Sequence, residues 1–237
     1  MLPKMTLPTY EVTLPSTGKK VKIRPFLVKE EKLLLMALES NDNEEIIKTT
    51  LQVVQNCLLD KDIDVESLPF FDVDYLFIAL RAKSVGESIE VRFTCNNVTE
   101  EKTFCGNEFK ANIDISNCKI RKDPDVTNQI PLGQGVVVKM KYPSYSEMKK
   151  INLEKNVTYN IISSCLEMII QGENVHTRKD FSAEIDEFLG NLTKEQYSKL
   201  AEFAESLPSF CVTTEAKCPK CEHNHHIEYD EFESFFV

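Results

Sequence analysis

Hydrophobic and polar residues alternate over Glu11–Leu14 and again over Lys20–Arg24. Pro15-Ser-Thr-Gly18 between them has turn chemistry, so the pattern predicts a hairpin. The period then lengthens. Leu33, Leu34, Leu35 and Leu38 give an apolar side to a predicted helix over Leu27–Ser40. Ser40-Asn-Asp-Asn43 breaks it and offers an N-cap for the next helix. Ile46, Ile47, Leu51, Val54, Cys57 and Leu58 recur at helical spacing, a face whose burial is worth about 1.5–3 kcal/mol per large side chain. Val73–Ala82 reads as a third helix and Glu87–Thr94 as a half-buried strand.

A second pass finds the same order again. Ile130–Pro143 is hairpin-like, and a proline leads into a helix over Ser144–Lys155. Ser144-x-x-Glu147 and Thr193-x-x-Gln196 fit the capping box, in which side chains satisfy the free amides of a helix start. A helix around Cys165 parallels the one around Cys57, and Gly172 and Gly190 fall where helices should stop. Leu192–Leu207 carries Tyr197, Leu200, Phe203, Ala204 and Leu207 on one side. Pro208 ends it, and Phe210–Ala216 returns as a strand. Thr13–Phe109 and Ile130–Glu228 thus run through a similar order of elements, each closing on a cysteine pair. The predicted fold class is α+β with two tandem homologous halves. Each half has a small antiparallel sheet, several helices and a terminal Cys-knuckle hairpin. Residues 1–118 form the first repeat with an N-terminal arm. Residues 119–128 form a polar linker, and residues 129–237 form the second repeat with an aromatic C-terminus.

Eight cysteines change the picture. The N-terminal residues lack the apolar core of a secretory signal, so the chain is expected to be intracellular when made. There, cysteines serve as thiols or metal ligands rather than disulfides. Cys218-Pro-Lys-Cys221 is a knuckle whose spacing lets both sulfurs reach one ion. Cys95 and Cys105 stand at the matching place in the first repeat, with Asn96–Phe104 as an inserted loop. Cys105-Gly-Asn resembles the second half of a knuckle, its glycine permitting the turn. The expectation is one structural Zn²⁺ held by Cys95, Cys105, Cys218 and Cys221 and bridging the repeats. Any of His223, His225 and His226 offers a replacement ligand. A redox dithiol at Cys218 and Cys221, or free thiols, remain open readings. Cys57 and Cys165 lie on apolar helix faces as small buried hydrophobes. Cys118 and Cys211 have no evident role.

Charge and motif content narrow the function. The formal net charge is −10, which opposes a broad phosphate-binding surface. Lys19, Lys20, Lys22 and Arg24 form the one notable basic cluster, which strand alternation is expected to divide between faces. No apolar run is long enough to span a membrane. With seven glycines and no phosphate-cradling loop, no H-E-x-x-H helix and no G-x-S-x-G elbow, no catalytic residue or small-molecule substrate is expected. His176 reads as an exposed loop residue. The acidic stretch Asp60–Glu66 lacks the pattern of a calcium loop. Phe232–Val237 reads either as packed on the chain's own core or as a plug for a partner.

Leu7-Pro-Thr-Tyr-Glu-Val-Thr-Leu-Pro-Ser-Thr-Gly18, Arg24–Ser40, Phe71-Asp-Val-Asp-Tyr75, Arg81–Glu87 and the phenylalanine-rich end after Cys-Pro-Lys-Cys carry a resemblance. In these stretches the chain resembles the small baseplate hub proteins of T-even-type contractile-tailed bacteriophages, particularly the marine and cyanophage versions. The resemblance implies a non-enzymatic hub subunit or assembly factor. It would bind other baseplate hub proteins in the host cytoplasm and possess a place in the virion tail baseplate. It implies no catalytic residue, and the zinc expectation rests on this sequence alone. The alternatives are a zinc-ribbon adaptor for nucleic acid and a thiol oxidoreductase.

Overall fold

A computed structural model describes residues 6–98, 102–151 and 155–229. The aromatic run Phe232–Val237 and positions 152–154 of the predicted helix lie outside the described residues. In chain order the strands are β1 (Tyr10–Thr13), β2 (Lys20–Ile23), β3 (Ser88–Thr94), β4 (Glu108–Asp114), β5 (Lys119–Arg121), β6 (Gln129–Gly133), β7 (Val136–Met140), β8 (Leu166–Gln171), β9 (Asn174–Thr177), β10 (Ser209–Lys217) and β11 (Asn224–Tyr229). The helices are α1 (Val28–Ser40), α2 (Asn43–Cys57), α3 (Phe70–Ser84), α4 (Tyr145–Lys149), α5 (Val157–Cys165), α6 (Arg178–Phe181), α7 (Ile185–Gly190) and α8 (Lys194–Glu205). These helices and several small antiparallel sheets make the fold α+β.

The chain divides into two compact units that do not follow its linear order. One gathers the chain up to Val65, Phe71–Arg121 and the end from Ser209; the other holds Glu66–Phe70 and Lys122–Pro208.

In the first unit, β1 and β2 pair in register from Tyr10↔Ile23 to Thr13↔Lys20. Their turn is closed by the Gly18 amide on the Leu14 carbonyl and the Leu14 amide on the Lys19 carbonyl, both at 2.9 Å. Val21 and Ile23 are buried while Lys20 and Lys22 are exposed. The basic cluster is therefore not divided as expected: residues two apart on a strand share a face, and Lys20 there meets Glu11 at 2.6 Å. Asp42 caps α2 by accepting from the Glu44 amide, and Leu51, Val54 and Cys57 are buried as its periodicity predicts. The third helix exceeds its predicted span at both ends and buries Phe71, Val73, Leu76, Phe77, Ile78 and Leu80. Such all-round burial leaves no polar stripe to mark its limits. Pairing of β3 with β4 runs from Ser88↔Asp114 to Thr94↔Glu108. The stretch expected to open a linker contains instead the strand β5, which pairs with β10 through Phe210↔Ile120. The resulting sheet has the order β11-β10-β5.

The second unit holds a sheet of order β6-β7-β8-β9. Ile130, Leu132, Val138, Met140, Ile162, Leu166, Leu200 and Phe203 form its core, with Tyr142 stacked on Phe203 at 5.9 Å. Both capping boxes form: Ser144 with Glu147, and Thr193 with Gln196. Four expectations need correction here. The helix from Ser144 is short, with α4 covering Tyr145–Lys149. The helix around Cys165 stops at that residue, and the chain goes straight into β8. Its Met168-Ile-Ile run is ambiguous between buried strand and buried helix. Gly172 is thus not a helix stop; it turns β8 into β9 at φ 60°. His176 lies on β9 rather than in a loop. Gly190 does end α7.

One local arrangement occurs in both units. Glu30 accepts from the Leu27 amide at 2.7 Å, and Arg24 reaches the same carboxylate at 3.0 Å. Glu147 accepts from the Ser144 amide at 2.8 Å, and Lys141 reaches it at 2.5 Å. The Arg24 amide donates to the Cys57 carbonyl at 3.0 Å, and the Lys141 amide donates to the Cys165 carbonyl at 2.7 Å. In each case a base six residues before the carboxylate ties a hairpin to a capped helix and to the cysteine that ends the next helix.

Candidate metal centre

Two hairpins build the site, and both belong to the first unit. At the end of β3 the Cys95 amide donates to the Asn107 carbonyl at 2.8 Å, and the Gly106 amide donates to the Cys95 carbonyl at 3.1 Å. At the end of β10 the Cys218 amide donates to the His223 carbonyl at 2.9 Å, and the Glu222 amide donates to the Cys218 carbonyl at 3.0 Å. The residue after the second cysteine is left-handed in both turns: Gly106 at φ 57° and Glu222 at φ 59°. The turns therefore match bond for bond although their cysteine spacings differ. The longer one accommodates its extra residues outside the match, where Val98 and Phe104 form an isolated bridge.

The sulfurs of Cys95, Cys105, Cys218 and Cys221 all lie within 4.8 Å of one another. Cys95 Sγ is 3.6 Å from Cys221 Sγ, and Cys105 Sγ is 3.9 Å from Cys218 Sγ. Tetrahedral thiolate sites place sulfur about 2.3 Å from the ion, which sets sulfur–sulfur edges of about 3.8 Å. The donor set and its size thus fit one tetrahedral ion. Cys95, Cys105 and Cys218 are buried, and Cys221 is partly exposed. Phe109 completes the small core, with Phe93, Ala111 and Ala216 packed against it.

The surroundings point hydrogen-bond donors at the sulfurs. Asn97 Nδ2 donates to Cys221 Sγ at 3.6 Å, and Asn107 Nδ2 donates to Cys218 Sγ at 3.7 Å. His225 Nε2 stands 3.2 Å from Cys95 Sγ and donates to it in the Nε2–H tautomer. The His225 ring is held by Phe109 at 5.8 Å and His223 at 4.8 Å. Burial pushes the Cys218 thiol up, but amides of Cys221 and Lys220 outweigh it and bring the thiol down to about 6. The His223 amide likewise lowers Cys221. Cys95 is pushed up to about 12, chiefly by burial. The knuckle amides thus favour the thiolate form at Cys218 and Cys221, while burial disfavours it at Cys95.

The four cysteines singled out in the sequence come together. Among the described residues, no histidine joins their cluster: His225 sits behind Cys95, His223 packs on His225, and His226 faces Glu215 at 4.0 Å. The asparagine donors were missed. The repeated Asn two residues after Cys95 and after Cys105 is the signal that marks them. Lys220, whose Nζ reaches the Cys105 carbonyl at 3.4 Å, carries no such signal.

Beyond this centre, no described helix is long and apolar enough to cross a membrane. The family described as T4 bacteriophage base plate protein matches residues 7–237. No curated protein and no solved structure matches.

Proposed function

Since the chain belongs to the T4 bacteriophage base plate protein family, we propose that it is a non-enzymatic central hub subunit or hub assembly factor with a structural zinc. Family membership supplies the coarser part: a structural role in the phage baseplate, in assembly with other phage structural proteins. The zinc rests on one observation, the convergence of four sulfurs within 4.8 Å from two hairpins far apart in the chain, and the hub assignment rests on the resemblance carried by the sequence. Cys95, Cys105, Cys218 and Cys221 would hold the ion. Four thiolates leave no open coordination position, so the ion would fasten the hairpins and take no part in a reaction. Asn97, Asn107 and His225 would orient the ligands and spread their negative charge, as outer partners do in metal sites.

The matched turns, and the Arg24–Glu30 and Lys141–Glu147 arrangements, support an origin by duplication. The repeats would be residues 1–118 and 129–237, joined at 119–128. In that history each repeat contributes one knuckle, although both knuckles pack in the same compact unit.

Co-purification from infected cells, with metal analysis of the same sample, tests this reading. The expected result is hub proteins in the pull-down and one equivalent of zinc per chain. A metal-free chain that travels alone overturns it. Salt-sensitive DNA binding in a gel shift would transfer the assignment to a nucleic-acid adaptor.

A further inference from the structure

The core side of the sheet in the second unit is left open at one end. Val138 is fully buried there, while Val136, two residues away on the same face, is only half-buried. Ile169, the Cα partner of Val138, is half-buried as well. Phe181 and Phe188, from α6 and α7, complete the floor of an open groove of about 390 Å³. That volume lies in the range of about 300–1,000 Å³ usual for binding clefts. The rim is acidic, and its carboxylates differ in what they already hold. Asp180 accepts from the Thr177 amide and hydroxyl, both at 2.7 Å. Asp186, next to the groove in sequence, accepts from the Tyr159 hydroxyl at 2.8 Å. Glu184 and Glu187 line the groove and, among the described residues, have no basic partner. Three positions apart at the start of α7, they are neighbours on the helix surface. Among the described lining residues there is no Lys or Arg, and His176 stands beside Asp180. The nearby Arg178 is turned to the Ser163 and Leu166 carbonyls.

We propose that this groove docks a basic segment of a partner protein that also carries apolar side chains. Those side chains cover the floor that the second unit leaves open and remove Val136, Ile169 and Phe188 from water. A Lys or Arg of the segment meets Glu184 and Glu187, which have no ion pair to give up. The same carboxylates, in a chain of net charge −10, repel the phosphates of nucleic acid and of anionic lipid. They also disfavour a second copy of this equally acidic chain. The proposal rests on the baseplate reading in taking the partner to be another phage structural protein. It does not draw on the metal centre, because the groove belongs to the second unit and the sulfur cluster to the first.

The test is fluorescence anisotropy of a labelled Lys-Leu-Lys-Phe-Lys-Leu peptide with the full chain, alongside zinc analysis of each sample. Saturable, salt-weakened binding is expected, reduced about tenfold by the double variant Glu184→Gln/Glu187→Gln. Both positions are exposed, so folding is retained. Glu31→Gln/Glu39→Gln, an equal change of charge at exposed positions of α1, should leave binding unchanged. A Lys-Ser-Lys-Ser-Lys-Ser peptide should bind about tenfold more weakly, because charge alone does not cover the floor. Absence of saturable binding, equal binding by the two double variants, or equal binding of the serine peptide overturns the proposal. So does self-association in sedimentation velocity that Glu184→Gln/Glu187→Gln abolishes, since the occupant is then a second copy. Peptide binding by a chain that brings no baseplate protein out of infected cells upholds the groove and overturns the baseplate partner. Peptide binding by a zinc-free chain upholds the groove and overturns the metal reading alone.

Discussion

Cys105 and Cys218 are 113 positions apart in the chain, and their sulfurs lie 3.9 Å from each other. Nothing in the backbone pairing of β3 with β4 or of β10 with β11 requires this meeting. If an ion holds it, Cys105→Ser and Cys218→Ser should each lose bound zinc. Each should lower the melting temperature by on the order of 10 °C, the shift that about 3–4 kcal/mol produces in a chain of this size. A strong chelator should reproduce the shift in the parent protein and leave the variants unmoved. Calorimetry with and without chelator makes the comparison.

Glu30 is 1% exposed in its side chain, and Arg24 beside it is 15% exposed. Glu30→Gln should destabilise by about 2–3 kcal/mol, because it leaves a largely buried guanidinium without its counter-charge. Burial pushes the Glu30 carboxyl up, but Arg24 and the Leu27 amide outweigh it and hold it below its ordinary 4.5. The stabilisation is therefore present above pH 4.5 and lost as pH falls through the lowered value. Urea midpoints measured from pH 6 down to pH 3 should fall less steeply in the variant.

Asp74 on α3 has the opposite sign. Burial pushes its carboxyl from 3.8 up to about 7. The folded chain then keeps a proton that the unfolded chain has released. Its contribution is present in full below pH 3.8 and declines as pH rises through 7. Asp74→Asn should remove that decline, so the variant gains on the parent between pH 5 and pH 8. Urea unfolding at those two pH values measures it.

Gly106 and Glu222 occupy the same left-handed position in the two turns. A Cβ at Gly106 meets open space, so Gly106→Ala isolates the backbone term. It should cost about 1 kcal/mol and weaken zinc retention in competition with a chromophoric chelator. A zinc affinity equal to that of the parent would show the turn to be tolerant.

Much of this was legible before any coordinates. The β1–β2 turn, the caps at Asp42, Ser144 and Thr193, and the helices from Val28 and Lys194 all carry local signals. Local chemistry fixed them, and tertiary packing did not override it. The meeting of the four cysteines was legible because each pair stands at the matching place after a strand, although only Cys218 and Cys221 have a knuckle's spacing. What failed was decided at longer range. The run after Cys165 is a strand because β7 is there to receive it through Val138↔Ile169. Lys119–Arg121 is a strand because β10 lies beside it. The Asn97 and Asn107 amides became donors to sulfur through the folded placement of Cys221 and Cys218.

The first compact unit is opened by β1 and closed by β10 and β11, with the whole second unit synthesised in between. A ribosome must release Cys221 before the sulfur cluster can be completed. Until then β5 lacks its β10 neighbour and the early dithiol lacks its counterpart. Interrupted products would thus carry an unfinished first unit, with Cys95 and Cys105 facing no second pair of thiols.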